Sequence, residues 1–141
     1  MILPILFIVL ASISKSIQDK ISFHWDTSIF SKINDGTKLY NWLNPSISWQ
    51  NKWKDRYKPH GEKFWGSSRW FVFITDGWHL LDTLRTLFSI SILTSFSGYT
   101  PFFGYLVEYN ILARCLDTLT LLTIFSSVFE LLFTLFSKLN R

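Results

Sequence analysis

The chain has 141 residues, of which 48% are hydrophobic and 18% aromatic, and its formal net charge is +4. One domain of this length has too little interior to bury so much apolar surface, because small folds have a high surface-to-volume ratio. A wholly soluble domain is therefore disfavoured. The apolar residues cluster at 1–13, 70–97 and 102–137, and this segregation predicts an all-α membrane protein.

The first apolar segment is followed by apolar residues at helical spacing as far as Ile21. We predict an N-terminal membrane anchor over residues 1–22, helical from about residue 2, because a spanning helix needs roughly 20 residues. A cleaved signal peptide is the alternative, but the basic residues that usually precede its apolar core are missing. The polar residues expected to emerge from the bilayer and be exposed are Lys15, Gln18, Asp19 and Lys20.

Residues 23–69 combine basic residues with tryptophan, and we predict that they form an interfacial loop. Tryptophan favours the lipid headgroup region, and neighbouring lysines attract anionic lipid. The same mixture can bind single-stranded nucleic acid, but the flanking apolar segments favour the lipid bilayer as partner and disfavour nucleic acid. We expect the loop to form a rigid cap, with a short interfacial helix at 46–58 whose shared face carries Ile47, Trp49, Trp53 and Tyr57.

Residues 70–141 contain two more apolar segments, at about 70–96 and 105–136, each long enough to span a bilayer. Gly98 and Pro101 between them indicate a tight turn, so we predict a transmembrane helical hairpin. Lysine and arginine are frequent in the loop and present in the tail but absent from this turn. The distribution predicts a multi-pass protein with its N-terminus outside and its C-terminus cytoplasmic.

Three blocks of the sequence resemble a group of small uncharacterised bacterial and phage membrane proteins. The blocks are WLNPSISWQNKWK at 42–54, FWGSS at 64–68 and TDGWH at 75–79, and the resemblance covers about residues 22–85. It implies membrane residence, and it implies no activity, cofactor or catalytic residue.

The last two segments carry charged residues, which cost about 2.5–3.5 kcal/mol each within a membrane and tend to face protein or water. Folding a hairpin about residue 101 brings Arg85 opposite Asp117. Asp82–Arg85 and Arg114–Asp117 are also neighbours on their own helices. We predict a structural charge network of these four residues. The third segment has a polar stripe with less regular spacing than one helix face requires. It consists of Asn110, Arg114, Asp117, Leu121, Ser127, Glu130 and Thr134.

Each of the three histidines has a carboxylate nearby, and this pattern can support metal or proton chemistry. The candidate catalytic residues are Asp76, His79 and Asp82. The candidate ligands of a divalent metal, which would activate water in a hydrolase, are His24, His60, Asp76 and His79. Solvated loop histidines and a hydrogen-bonded helix histidine are the structural alternatives, and the sequence contains no HExxH or paired CxxC motif.

Three functions are compatible with these features, and whether the chain is an enzyme is left open. The first is a membrane protein that forms a homo-oligomer or binds a membrane protein partner through polar helix faces, which three helices cover poorly in a monomer. The second is a metal-dependent membrane enzyme centred on His79. The third is an oligomeric pore or proton path lined by a polar stripe of the second segment. This stripe consists of Asp76, His79, Asp82, Thr83, Thr86 and Ser89 or Ile90, at steps of about three and four residues.

Overall fold

The computed structural model describes residues 2–95 and 110–137, which form helices and turns without a β-strand. The helices are α1 (Ile2–Phe23), α2 (Lys38–Leu43), α3 (Val72–Thr75), α4 (Gly77–Ser95) and α5 (Asn110–Leu135). The predicted turn at 97–104 and the basic tail lie outside the described residues. The predicted hairpin, which depends on that turn, stays a prediction.

Helix α1 lies at the centre of the helical bundle, because both α4 and α5 pack mainly against it. The Ser12 hydroxyl donates to the Phe125 carbonyl of α5 at 2.8 Å. The Phe7 ring stacks on Phe88 of α4 with 6.4 Å between ring centroids, and Gln18 reaches Asp82 near the start of α4. Helix α4 therefore runs antiparallel to α1, and α5 runs parallel to it.

The predicted anchor helix matches α1 closely in its limits, but the predicted exposure of its polar end is wrong for two residues. Gln18 is 5% exposed and Lys20 is 3% exposed, since α4 and α5 cover this end of α1 from two sides. Lys15 and Asp19 stay partly exposed and form an ion pair with 2.5 Å between Nζ and Oδ1. Lys20 and Gln18 both have polar partners there, Ser137 of the segment after α5 and Asp82 of α4, as buried polar groups generally do.

The predicted helix over 70–96 is interrupted near its start. Residues Val72–Thr75 form one helical turn, Asp76 takes an extended conformation (φ −149°, ψ 155°), and α4 begins at Gly77. The residues before Val72 form turns instead of helix, and the Gly66 carbonyl accepts hydrogen bonds from the backbone N–H groups of Trp70 and Phe71. The second apolar segment therefore contributes a shorter main helix than its hydropathy predicts.

Two of the described helices, α1 and residues Leu112–Leu135 of α5, are long and apolar enough to cross a membrane. Their mean hydropathies are 1.5 and 1.8. The described part of α4 does not meet the same criterion. Only 6% of the residues in the most apolar stretch of α5 are buried, whereas a core helix of a soluble protein is mostly buried. Apolar side chains of α5 thus face outward along much of its length.

The loop after α1 is compact, but the predicted helix over 46–58 is wrong. This stretch consists of short 3-10 turns at Ser48–Lys52, Lys54–Arg56 and Lys58–His60. Asp55 and Arg56 interrupt any helix there because both have positive φ angles, 53° and 59°. Ile47, Trp49, Trp53 and Tyr57 therefore do not share one helical face.

The loop meets all three long helices at one end of the bundle. It continues directly from the end of α1, and the Ile29 N–H donates to the Phe136 carbonyl beyond α5 at 2.9 Å. Trp42 and Leu43 lie against Gly77 at the start of α4. The candidate residues near the start of α4 therefore sit beneath this loop.

Candidate functional site

The Asp76 carboxylate is 1% exposed and is the N-cap of α4. Its Oδ1 accepts a hydrogen bond from the His79 backbone N–H at 2.9 Å, and its carbonyl accepts from the Leu80 N–H at 3.2 Å. The His79 ring nitrogen Nδ1 lies 2.7 Å from Oδ2. This pairing resembles a capping box, in which the N-cap residue and the third helical residue bond to each other.

The other two histidines lie elsewhere in the molecule. His24 packs edge-on against Phe133 of α5, with 5.1 Å between ring centroids. The His60 Nδ1 lies 3.3 Å from Asp55 Oδ2 on the loop surface. Within residues 2–95 and 110–137, no group of three or more His, Cys, Asp or Glu side chains could hold a metal ion. Of the four predicted ligands, the structure brings together only Asp76 and His79.

Asp82, the third candidate catalytic residue, forms polar contacts with two helices. Its Oδ1 lies 2.7 Å from Arg85 Nη2 within α4 and 3.3 Å from Gln18 Nε2 of α1. The Arg85 Nε is buried and has no hydrogen-bond partner in the part of the chain that the structure describes. The observed contacts give Asp82 a bundle-stabilising role, since an acid and an amide from neighbouring helices meet there.

Arg114 and Asp117 line a cavity of about 400 Å³ where α1, α4 and α5 approach one another. Asp117 is 1% exposed, and both residues have interaction partners. The apolar wall of the cavity includes Ile8, Ile92 and Leu121. Of the predicted charge network, the Asp82–Arg85 pair is present as an ion pair, and the link from it to Asp117 stays a prediction.

The predicted polar stripe of α5 divides between two faces of the helix. Asp117 and Leu121 are buried against the bundle, whereas Ser127 and Glu130 are exposed. A step of six residues from Leu121 to Ser127 crosses to the other side of a helix with 3.6 residues per turn. The outward polar residues, which we call the outer stripe, are Thr123, Ser127, Glu130 and Thr134, all exposed and three or four residues apart.

Two features of the structure were not predicted from the sequence. The first is the inward position of Lys20, whose Nζ lies 3.5 Å from the centroid of the Phe133 ring and 2.6 Å from Ser137 Oγ. Its signal was present, because Lys20 ends a series of polar residues at every second position from Ser12. Two members of that series, Gln18 and Lys20, are among the residues predicted to be exposed outside the bilayer.

The second missed feature is a carboxylate clamp within the loop. Glu62 accepts hydrogen bonds from the Ser68 hydroxyl and from the backbone N–H groups of Gly66, at 2.9 Å, and Ser68, at 3.3 Å. The Ser68 hydroxyl and the Gly66 N–H hold the pKa of Glu62 below its usual range, because they stabilise the charged form. The spacing of Glu62 before a Gly-Ser-Ser turn was the available sequence signal.

Comparisons of the chain with protein-family models, curated proteins and solved structures find no match. The resemblance over residues 22–85 therefore stays an observation on the sequence alone. Since helical bundles serve many functions, a function has to be argued from the polar groups themselves.

Proposed function

We propose that the chain is a small integral membrane protein that associates with a second copy of itself through the outer stripe of α5. Support for membrane residence comes from the two apolar helices and from the exposed leucines of α5. Leu119, Leu122, Leu131 and Leu135 are all more than half exposed, between 54% and 68%. In lipid such side chains need no further protein cover, because the bilayer core is itself apolar.

The observation that carries the association is Glu130, an exposed acid on the outward face of an apolar helix. An ionisable group facing hydrocarbon is costly, by about 2.5–3.5 kcal/mol on insertion scales. A neighbouring helix that offers hydrogen-bond donors would remove this exposure. Ser127 and Thr123 beside Glu130 are small, and small residues allow two helices to approach closely in membranes.

In the proposed topology the N-terminus lies outside, the loop lies on the cytoplasmic surface, and α4 lies in the membrane beside α1. The ion pair between Asp82 and Arg85, together with the hydrogen bond from Gln18 to Asp82, would reduce the cost of placing these charges in lipid. A different membrane protein that presents a complementary polar helix is the alternative occupant of the outer stripe. The enzyme and pore interpretations stay predictions.

Membrane residence is tested by washing membranes that contain the untagged chain with alkaline carbonate. We expect the protein to stay in the membrane pellet, since its apolar helices would be held in hydrocarbon. Release into the supernatant together with a peripheral control protein would contradict the proposal at its first step.

Self-association is tested by sedimentation equilibrium of the purified chain in density-matched neutral detergent. We expect wild type to form a dimer or larger species, and Glu130→Leu to weaken the association about 5- to 30-fold. This range corresponds to the loss of one interhelical hydrogen bond worth roughly 1–2 kcal/mol. Glu130→Gln should retain most of the association because an amide still forms hydrogen bonds.

The matched control is Leu135→Ala, which changes an exposed residue of the same helix that is not three or four residues from any member of the outer stripe. It should leave association within about twofold of wild type, in line with the small effect expected of a lipid-facing residue. A strictly monomeric wild type would exclude self-association and favour a different membrane protein as the occupant. Equal weakening by Leu135→Ala and Glu130→Leu would show that the outer stripe has no special role.

A further inference from the structure

The loop contains a pocket of about 330 Å³ at the junction of four chain segments. Its charged lining comes from Lys38 at the start of α2, Arg56 in the 3-10 turn Lys54–Arg56, and Lys63 further along the loop. The apolar part of the rim includes Phe64 and Ile74, which are 40% and 55% exposed. Residues distant in sequence thus combine three positive charges with apolar side chains.

Among the residues that the structure describes, the lining of this pocket contains three cations and no aspartate or glutamate. The ion pairs within the described residues also involve other groups, those of Lys15, His60, His79 and Arg85. Like charges close together repel one another. Three cations in a lining without a carboxylate therefore give the pocket a positive charge that would attract an anion.

Hydrogen bonds between the surrounding segments hold the pocket together. The Asn51 side-chain amide donates to the Asn41 carbonyl at 2.8 Å, and the Trp42 indole N–H donates to the Ile74 carbonyl at 3.1 Å. All four of these residues line the pocket. Arg56 has a positive φ of 59°, a conformation that costs free energy in non-glycine residues and often marks functional positions.

We infer that this pocket binds a phosphate group, carried by an anionic lipid headgroup or by a soluble phosphate compound. A guanidinium can donate two parallel hydrogen bonds to phosphate oxygens, and two ammonium groups add charge from other directions. The apolar rim suits the glycerol and upper chain carbons of a lipid. The inference is independent of the outer stripe, because the two sites share no residue.

The test uses the full chain in neutral detergent micelles and isothermal titration calorimetry. The probes are dihexanoyl phosphatidic acid, dihexanoyl phosphatidylcholine and inorganic phosphate. We expect phosphatidic acid to bind saturably to wild type and phosphatidylcholine to bind much more weakly, since its positive choline group offsets the phosphate charge. The double variant Arg56→Gln, Lys63→Gln should weaken phosphatidic acid binding about tenfold or more, given that each basic group contributes about fivefold.

The matched control is Lys32→Gln, Lys54→Gln, which removes two exposed charges of the same loop that do not line the pocket. It should change the affinity less than about threefold, as expected for screened surface charges. Circular dichroism checks that both variants keep the wild-type helix content. Because the substituted side chains are exposed, both variants are expected to fold.

The inorganic phosphate titration identifies the source of the group. If inorganic phosphate binds as tightly as phosphatidic acid, and the double variant Arg56→Gln, Lys63→Gln abolishes this binding, the result supports the site with a soluble ligand. Weak inorganic phosphate binding beside strong phosphatidic acid binding supports the site with a lipid ligand. The inference is overturned if wild type binds neither phosphatidic acid nor inorganic phosphate, or if the two double variants lose equal affinity for phosphatidic acid.

Discussion

The Asp76 carboxylate contacts His79 twice, through the backbone N–H at 2.9 Å and through the ring Nδ1 at 2.7 Å. One buried side chain thereby ends the extended segment after α3 and begins α4. Two of the residues that the sequence predicted to be catalytic or metal-binding, Asp76 and His79, thus take part in starting a helix. Capping satisfies N–H groups that have no partner within the helix.

Replacing Asp76 should destabilise the protein through loss of this cap. We expect Asp76→Ala to lower the free energy of unfolding by about 1 kcal/mol, within a range of roughly 0.5–2 kcal/mol for such caps. Asp76→Asn should retain most of the stability, because asparagine accepts the same hydrogen bond. Thermal unfolding in detergent, followed by circular dichroism, measures both changes.

The control for this experiment is Asp35→Ala, since Asp35 is an exposed acid in a turn. Its unfolding temperature should match wild type. If the alanine and asparagine variants at position 76 lost equal stability, charge rather than capping would be responsible.

The start of α4 also contains a close approach that only glycine permits. A Cβ atom on Gly77 would lie 2.7 Å from Leu43 Cδ2 and 3.2 Å from Trp42 Cζ3. We expect Gly77→Ala to lower the free energy of unfolding by about 1–3 kcal/mol, as overpacking does in closely packed interiors. When Leu43 is already alanine, Gly77→Ala should lower the free energy of unfolding less than it does in wild type, because the atom that the new Cβ would meet is gone. Additive losses in chemical unfolding would contradict the contact.

The sequence predicted the limits of α1 well because its apolar spacing continues unbroken to Ile21. It also located an apolar helix within 105–136, since hydropathy over more than 20 residues is a strong signal. The break at Asp76 was missed because hydropathy does not register a cap. An Asp before Gly77 at the edge of an apolar run was the local signal that could have marked the helix start.

Other features depend on which helices become neighbours, and one sequence read in isolation does not specify that. Lys20 was predicted to be exposed because the end of α1 was expected to emerge from the bilayer, yet Lys20 is buried and contacts the Phe133 ring and Ser137. The phosphate pocket likewise draws Lys38, Arg56 and Lys63 from separate segments. Composition indicated an anion-attracting loop, but only the folded loop brings these three cations to one place.

Lys20 and Phe133 should be energetically coupled across the α1–α5 contact. A cation against an aromatic face contributes up to about 2 kcal/mol when desolvated, and Lys20 is buried. In a double-mutant cycle with Lys20→Met and Phe133→Leu, we expect a coupling energy of about 1–2 kcal/mol from chemical unfolding in detergent.

The matched cycle uses Lys15→Met with the same change at Phe133. Lys15 pairs with Asp19 on α1, so the two substitutions should be additive to within about 0.5 kcal/mol. Equal coupling in both cycles would indicate a general change in α1 and would argue against the specific contact.

The Glu62 clamp should make the order of the loop depend on pH. The unfolded chain titrates near the ordinary Glu value of 4.5, whereas the folded state has a lower pKa because Ser68 and Gly66 stabilise the carboxylate. A carboxyl with a lowered folded-state pKa stabilises the fold fully above the unfolded value. That stabilisation is lost as the pH falls through the folded-state pKa.

We therefore expect the amide protection factors of Gly66 and Ser68, corrected for intrinsic exchange, to fall as the pH drops below 4.5 and through the lower folded-state pKa of Glu62. Glu62→Gln should lower these protection factors already at neutral pH and remove most of their pH dependence, because an amide lacks the charge that the three donors stabilise. Asp35→Asn, which changes an exposed loop acid, should leave both behaviours as in wild type. Hydrogen exchange followed by mass spectrometry measures all three chains. Unchanged protection in Glu62→Gln at neutral pH would show that Gly66 and Ser68 are held by the backbone turn alone.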